Sequence, residues 1–335
     1  MGQVIIMSHT ARNRLGTARP NKLVSLNEAI ATICDGDVLC LGSFIDNRRP
    51  MAAAYEIVRQ QKRGLILLAQ CSLAEDILVG SGCAVAWRGC YTGMATFGLS
   101  PATLRKIENE EFWPDEIGHI DIILGAMAAM VGSPFVATRA TLGSDVLNEK
   151  YNRNQKLQEL AGNPARIPHQ KFTFMEDPFY GEGMVKLQPA MPADVAIIHV
   201  QQAGEKGTAR ITGSLAFDHY FVHAARKIII TAEQVVPEEY LRLDPNRNQI
   251  PCTAVDMVVH VPWGGHPSQV PGFYDVDMDF IKEYAAAARG EDSFNRWVDE
   301  WIHGIDSREE YLDRLGASRL QRLRVNPPFG YRQRR

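Results

Sequence analysis

The sequence predicts an α/β protein, a layered, open and mostly parallel sheet flanked by helices. Three observations carry this reading. Short apolar runs rich in β-branched residues recur at 38–41, 65–69, 195–200, 227–236 and 255–262, and the run at 195–200 lacks the alternation of a strand with one wet face. Helix-length segments with start and stop signals stand between many of them, as crossover connections in a parallel sheet require. Apolar residues give way to glycine, serine or amides where these runs end, and the carboxyl ends of parallel strands are where ligands bind.

Bulk properties narrow the function classes. A chain of 335 residues can bury a large core and fits one large α/β domain or two smaller ones. Its net charge of −3 offers no basic field for a nucleic acid or an anionic membrane, so a small molecule or a protein partner is expected. The six cysteines form no C-x-x-C pair and are expected to be reduced and buried. Only 4–7 is apolar near the amino terminus, too short for a signal-peptide core, and no apolar run reaches membrane-spanning length; a cytoplasmic protein is expected.

Residues 1–22 mix Arg, Asn, Gly and Pro without periodicity and read as an extension. Ser25 and Glu28 form a capping box that opens a helix ended by Asp35-Gly36-Asp37. The strand 38–41 stops at Gly42-Ser43-Phe44, and Pro50 leads into a helix at 51–59. That glycine-containing turn is a place where backbone N–H groups can face an anion. A strand at 65–69 is followed by a helix or loop at 74–79, and Gly80-Ser81-Gly82 is no Walker loop because no Gly-Lys-Ser/Thr follows. After a strand at 84–87, Pro101 opens a helix placed at 104–111. Glu108, Glu110, Glu111, Asp115 and Glu116 read as a solvated acidic face. The segment 120–131 is apolar nearly all round, which predicts a buried helix ended by Gly132. Residues 150–168 read as a surface excursion, and 184–187 as a strand after the turn-rich 177–183.

The run 195–200 ends in Gln201 and Gln202. Paired amides at a strand end can hydrogen-bond a carboxylate or a thioester oxygen, although side chains that merely satisfy loop backbone look the same in sequence. A turn at Glu205-Lys206-Gly207 precedes a short segment at 208–212, then a helix at 216–226. His219 and His223 share a helix face, but Tyr220 stands where a zinc protease carries glutamate and no third ligand is evident, so no metal is expected. The strand 255–262 runs into a loop in which Gly264 and Gly265 allow close backbone approach and His266, Ser268 and Gln269 supply polar groups. Helices follow at 278–289, 293–304 and 309–315. The Arg-rich end, with few aromatic residues interleaved, reads as a solvated or subunit-facing strip. There is no solenoid repeat, no Gly-x-Ser-x-Gly, no Gly-x-Gly-x-x-Gly and no His-Glu-x-x-His, which removes the usual hydrolase, dinucleotide and zinc-protease readings.

Several strings resemble one family. Leu41-Gly-Ser-Phe44 with Arg48-Arg49-Pro50, Asp194 through Gln202, Asp244-Pro-Asn-Arg-Asn248, Gly264-Gly-His-Pro-Ser-Gln269 with Tyr274-Asp275, and Leu315-Gly-Ala-Ser-Arg319 are similar, in this order, to the A subunits of the class I CoA-transferases that act on glutaconate. The resemblance spans almost the whole chain after Lys22. It implies the class I CoA-transferase subunit fold as a single domain at 23–320, between an extension at 1–22 and a basic tail at 321–335. It also implies a similarly folded B subunit, with the site at the interface of an A2B2 or larger assembly. No permanently bound cofactor is expected, and the coenzyme A thioester is the substrate. In the family it is a glutamate of the B subunit that attacks this thioester, giving an anhydride and then a glutamyl-CoA. The chain itself would supply walls for a small, dicarboxylic or related acid, and the matching positions are Ser43, Phe44, Gln201, Gln202, His266, Ser268 and Gln269.

The chain departs from the family pattern at two places. Ser43 replaces a glycine, which narrows backbone freedom at a turn approaching the acyl group, and 68–73 replaces a glycine-rich stretch. Two other readings therefore stay open. A sister branch of steroid-ring-cleaving hydrolases acts on cyclic β-keto acyl-CoAs with a glutamate of the A-type chain, which would fall at Glu116. A non-catalytic acyl-CoA-binding subunit would keep the fold without turnover.

Overall fold

The computed structural model describes residues 21–325, so the extension expected at 1–22 and the basic tail expected at 321–335 lie mostly outside the described residues. The strands in chain order are β1 (Val38–Leu41), β2 (Leu65–Cys71), β3 (Ala84–Thr92), β4 (Trp113–Glu116), β5 (Phe135–Thr138), β6 (Thr173–Glu176), β7 (Met184–Pro189), β8 (Ala193–Gly204), β9 (Ala209–Arg210), β10 (Ala225–Val236) and β11 (Met257–His260). The helices are α1 (Leu26–Ala31), α2 (Met51–Arg59), α3 (Leu73–Gly80), α4 (Pro101–Glu108), α5 (His119–Val131), α6 (Gln155–Leu160), α7 (Asp218–Ala224), α8 (Glu238–Arg242), α9 (Met278–Ala287), α10 (Glu291–Val298), α11 (Arg308–Leu315) and α12 (Ala317–Leu323).

The main sheet has the order β11-β10-β8-β1-β2-β3-β4, every neighbour pairing parallel, with β9 added antiparallel to the end of β8. Its strands are buried on both faces, as their unalternating apolar runs require. Leu39, Leu41, Leu67, Val195, Ile197 and Ile229 point into a core closed by α2, α3, α9 and α10. Val38, Cys40, Leu68, Ala196, Ile198 and Ile230 point into a second core closed by α5 and α7. The result is a three-layer α/β/α arrangement. The carboxyl ends of β1, β2, β8, β10 and β11 open on one edge, and the site is built there.

Several expectations need correction. The helix placed at 104–111 is α4, Pro101–Glu108, because proline fixes its first turn and the chain turns at Glu110 with φ of 60°. The acidic run beyond it is not a helix face: Trp113–Glu116 is the edge strand β4, where Pro114 is tolerated because one side of an edge needs no donor. A separate antiparallel sheet, β5-β7-β6, went unrecognised except for β7. Helix α5 is not buried all round; Ile122, Ala126 and Ala129 face the core while Met127 and Val131 are exposed. The excursion at 150–168 carries α6 and buries Leu157, Asn152 and Asn154, so it covers the sheet. The helix expected at 216–226 ends at Ala224, where β10 begins. The six cysteines are free, but Cys34 is exposed and Cys90 and Cys252 are only half-buried. Helix α12 carries the ordered body through the start of the expected tail, to a buried Val325. Among the described residues no helix is long and apolar enough to cross a membrane.

Candidate functional site

The first loop of the site, residues 42–50, leaves the end of β1 and folds back to start α2. Three non-glycine residues in it take left-handed backbone conformations, Ser43 (φ 71°), Ile45 (φ 49°) and Arg48 (φ 47°). Such residues persist only where the surroundings over-determine them, and here they do. Gly42 N donates to Ile197 O at 2.8 Å, Ser43 N to Asp218 Oδ1 at 2.5 Å, and Ile45 N to Gln70 Oε1 at 2.9 Å. Gly42 has to be glycine, because a Cβ there would stand 2.7 Å from Asp218 Oδ1.

Two buried arginines bolt this loop to the sheet. Arg48 pairs with Asp218 at 2.9 Å, both side chains 0 % exposed, and donates to His199 O at 2.8 Å and Ser214 O at 2.5 Å. Arg49 donates to Gly42 O at 2.9 Å and pairs with Glu75, whose other oxygen accepts from Ser72 N at the start of α3. Each buried cation thus has its carboxylate, as desolvation demands. Burial pushes the pKa of Asp46 in the same loop upward, with Arg49 pulling the other way.

The second loop, 262–275, follows β11 and docks on the first. Arg48 N donates to Gln269 O and Gln269 N to Asp46 O, both at 2.8 Å, while Arg49 N donates to Ser268 Oγ at 2.9 Å. Two buried histidine–carboxylate systems hold it from below. His199 Nε2 lies 2.8 Å from Glu233 Oε1 and its Nδ1 2.9 Å from Thr231 Oγ1; Glu233 accepts from Tyr274 OH and from Trp263 N. The second system runs from Tyr311 OH to His266 Nδ1 at 2.7 Å, and from His266 Nε2 to Asp277 Oδ2 at 3.0 Å, with Arg319 on the same carboxylate. This pattern suits a neutral imidazole that accepts at Nδ1 and donates at Nε2. Burial lowers His266 to about 4, against the pull of Asp277. Burial alone would raise Asp277, but hydrogen bonds from His266 and Arg319 overcome it and hold the carboxyl well below its ordinary value. Gly264 and Gly265 do make room for a close approach: Cβ atoms there would stand 2.6 Å from Val261 O and 2.8 Å from Val270 Cγ2, with the His199 ring at 3.0 and 3.2 Å.

The residues singled out from sequence separate into two groups. Ser43, Phe44 and Gln269 sit on the two docked loops; Phe44 is half-buried with its ring against His119 and Phe217 at centroid distances of 5.8 and 6.4 Å. Gln202, half-buried, donates to Gln234 Oε1 at 3.1 Å. The others face inward. Gln201 donates to Thr212 O and Pro271 O and accepts from Thr212 N, so its amide ties two loops together. His266 is buried as described, and Ser268 Oγ donates to Gly265 O and accepts from Arg49 N. Glu116 ends β4 opposite Gly89 and is exposed; its charge, after burial, helps push the neighbouring Cys90 thiol to about 11. A short turn joins it to His119, whose ring packs on Phe44, and so places it at the rim of the same edge. The rings of His219 and Tyr220 lie tilted against each other with centroids 3.7 Å apart, and no cluster of three or more metal-ligating side chains occurs among the described residues.

Sequence reading missed Gln70, Asp218 and Glu233. Gln70 is a single amide in the buried strand β2, and that interruption was the available signal. Asp218, at the start of α7, and Glu233, on β10, are brought to the site only by the tertiary fold.

Comparison with known proteins gives one consistent result. The family model described as Coenzyme A transferase matches residues 23–261. The A subunit of the glutaconate CoA-transferase of Acidaminococcus fermentans is 34% identical over 93% of this chain and 97% of its own length. The crystal structure of glutaconate coenzyme A-transferase from that organism superposes with a TM-score of 0.87, covering 93% of this chain and 98% of that one. The A subunit of the 3-oxoadipate CoA-transferase of Pseudomonas knackmussii is 31% identical over 89% of this chain and 99% of its own. A more distant relative, at 24% identity over 88% of this chain and 95% of its own, is the Cholesterol ring-cleaving hydrolase IpdA subunit of Rhodococcus jostii.

Proposed function

The chain belongs to the coenzyme A transferase family, and from that premise we propose that it is the A subunit of a two-chain enzyme moving CoA between an acyl-CoA and a small carboxylic acid. The B-type partner supplies the nucleophile. Its glutamate attacks the thioester carbonyl and expels the CoA thiolate; the thiolate then takes the glutamyl carbonyl of the resulting anhydride and frees the acid, and the acceptor acid reverses both steps. This chain contributes the fixed wall against which the acyl group lies.

The observation that carries the reading is the pair of docked loops at the carboxyl ends of β1 and β11. The backbone at Ser43, Ile45 and Arg48 is held in conformations that cost energy, by buried carboxylates and an amide, at the edge where a parallel sheet binds ligands. A wall that rigid suits preorganised stabilisation of the addition steps. Ser43, Phe44 and Gln269 lie toward the acid, with Gln202 further along the rim, while Gln201, His266 and Ser268 fix the loops.

The test is to co-express the chain with its B-type partner and follow new thioester by mass spectrometry. Transfer from acetyl-CoA to a carboxylic acid by the complex, and none by either chain alone, is the expected result. A complex that binds acyl-CoA without turning it over would overturn it in favour of a purely binding role. A second reading, hydrolysis with Glu116 as the catalytic carboxylate, is favoured by the exposure of Glu116 at the rim near Phe44. It predicts thioester consumption in water that Glu116→Gln abolishes.

A further inference from the structure

The start of α11, one side of α2, the first turn of α1 and the end of β11 enclose a cavity of about 380 Å³, to which the loop 42–50 contributes no residue. Tyr55 lines it, is 1 % exposed, and its hydroxyl makes no hydrogen bond among the described residues. The Tyr311 hydroxyl lies near enough to act on it, but that group is bonded to His266 Nδ1 at 2.7 Å and does not reach hydrogen-bond geometry with Tyr55. Buried hydroxyls in native proteins are nearly always matched, so one that is not calls for a partner from outside the chain.

Two arginines meet the same cavity, each with one nitrogen unspent among the described residues. Arg308 donates Nε to Pro262 O at 3.1 Å and Nη2 to Trp263 O, and its guanidinium lies 4.2 Å from the centre of the Tyr311 ring. It is thereby fixed, half-buried, with Nη1 uncommitted and no ion pair. Arg59 donates Nε to Ile302 O at 2.9 Å and Nη1 to Glu56 Oε2 at 3.3 Å, leaving Nη2. Glu56, the buried carboxylate of the cavity, is spent on Arg59, Asn27 and Gln60. Asp306 and Glu309 also line it but are exposed, where water and salt screen them, as is His260. Burial pushes the pKa of Tyr55 well above its ordinary value, and apart from the Tyr311 phenol the charges felt at its hydroxyl are those of Arg308 and Arg59. A neutral donor between two guanidiniums repels an ammonium group and suits an oxyanion, which supplies the charge that Arg308 lacks.

We propose that this cavity is an anion-binding site in which the Tyr55 hydroxyl and the free nitrogens of Arg59 and Arg308 hold a small oxyanion, a carboxylate or a phosphate. Its occupancy is coupled to the support loop. Arg308 carries the carbonyls of Pro262 and Trp263, and Tyr311 stands between Tyr55 and His266, so an anion that fixes Arg308 strengthens the attachment of 262–275.

The test is calorimetric titration of the complex with its B-type partner, using inorganic phosphate and acetate in separate runs. Saturable binding of at least one is expected, phosphate alone assigning a phosphate ligand and acetate alone a carboxylate. Tyr55→Phe removes only the unmatched hydroxyl and is expected to weaken that binding about fivefold or more. Arg308→Gln is expected to weaken it about tenfold or more. Acetate held elsewhere in the complex is unaffected by either change, so only the heat that the variants remove counts. The unfolding midpoint of the native complex should rise with the anion, and that of Tyr55→Phe, equal to the native one without anion, should rise much less. Neither anion binding below about 10 mM, or both variants binding like the native complex, would overturn the proposal.

Discussion

The two loops that dock above β1 and β11 look alike in sequence, each a glycine-containing stretch crowded with polar residues, yet the structure uses them differently. In 262–275 no buried side-chain nitrogen or oxygen lacks a partner among the described residues, and His266, Ser268 and Tyr274 are tied into the chain. In 42–50 Ser43 Oγ, Asn47 Oδ1, Arg48 Nε and Arg49 Nε are buried and unmatched, and three residues carry left-handed backbone. Polar density therefore does not separate scaffold from site. What separates them is whether the polar atoms are satisfied, and under the proposed CoA-transfer reading 262–275, Gln269 apart, is the support loop and 42–50 the contact loop.

The largest expected effect comes from removing the anchor of the contact loop. Asp218→Ala strands the fully buried Arg48 and frees Ser43 N, and is expected to cost about 3–5 kcal/mol in chemical unfolding. A loss under about 1 kcal/mol would mean that the loop is not held as described. Next is a pH dependence that belongs to the support loop. His266 titrates at about 4 in the fold against 6.5 when free, so between those values the unfolded chain binds the extra proton and stability rises with pH. The contribution is complete above about pH 6.5 and is lost as pH falls toward 4, on the order of 3 kcal/mol in all. Unfolding midpoints measured across that range should show the slope in the native chain and lose it in His266→Asn. An unchanged slope in the variant would assign it elsewhere.

These two effects concern residues that sequence made visible to different degrees. The parallel strands were legible because burial on both faces writes unbroken β-branched runs, as at 195–200. Strand β4 was not, since an edge strand can hold Trp113-Pro-Asp-Glu and read as a charged loop. The sheet β5-β7-β6 is short and half-exposed, so its pattern is weak. Within the site, Ser43 and Phe44 stood out at the end of a strand. The burial of Arg48 and Arg49 did not, because only Asp218, far along the chain, and Glu75, on α3, make two buried guanidiniums tolerable. Gln201 and His266 drew notice as polar residues near strand ends, and nothing in one sequence tells an inward-facing amide from an outward-facing one.

Smaller effects sharpen the same contrast. Gly42→Ala places a Cβ against Asp218 Oδ1 and is expected to cost about 1–3 kcal/mol, read from thermal unfolding. Ser43→Gly should act in the opposite direction, stabilising by about 1 kcal/mol or less as the left-handed strain is relieved. Destabilisation by Ser43→Gly would show that the hydroxyl is already matched, and would remove the distinction between the loops.

The central claim is that this chain frames the site and the partner supplies the nucleophile. It is tested most directly by incubating the complex with an acyl-CoA, reducing any enzyme-bound thioester with borohydride and locating the modified peptide by mass spectrometry. A reduced glutamate on the B-type chain, with this chain unmodified, is the predicted result. Thioester consumption in water with no adduct on either chain, abolished by Glu116→Gln, would contradict it and make this chain the catalytic one.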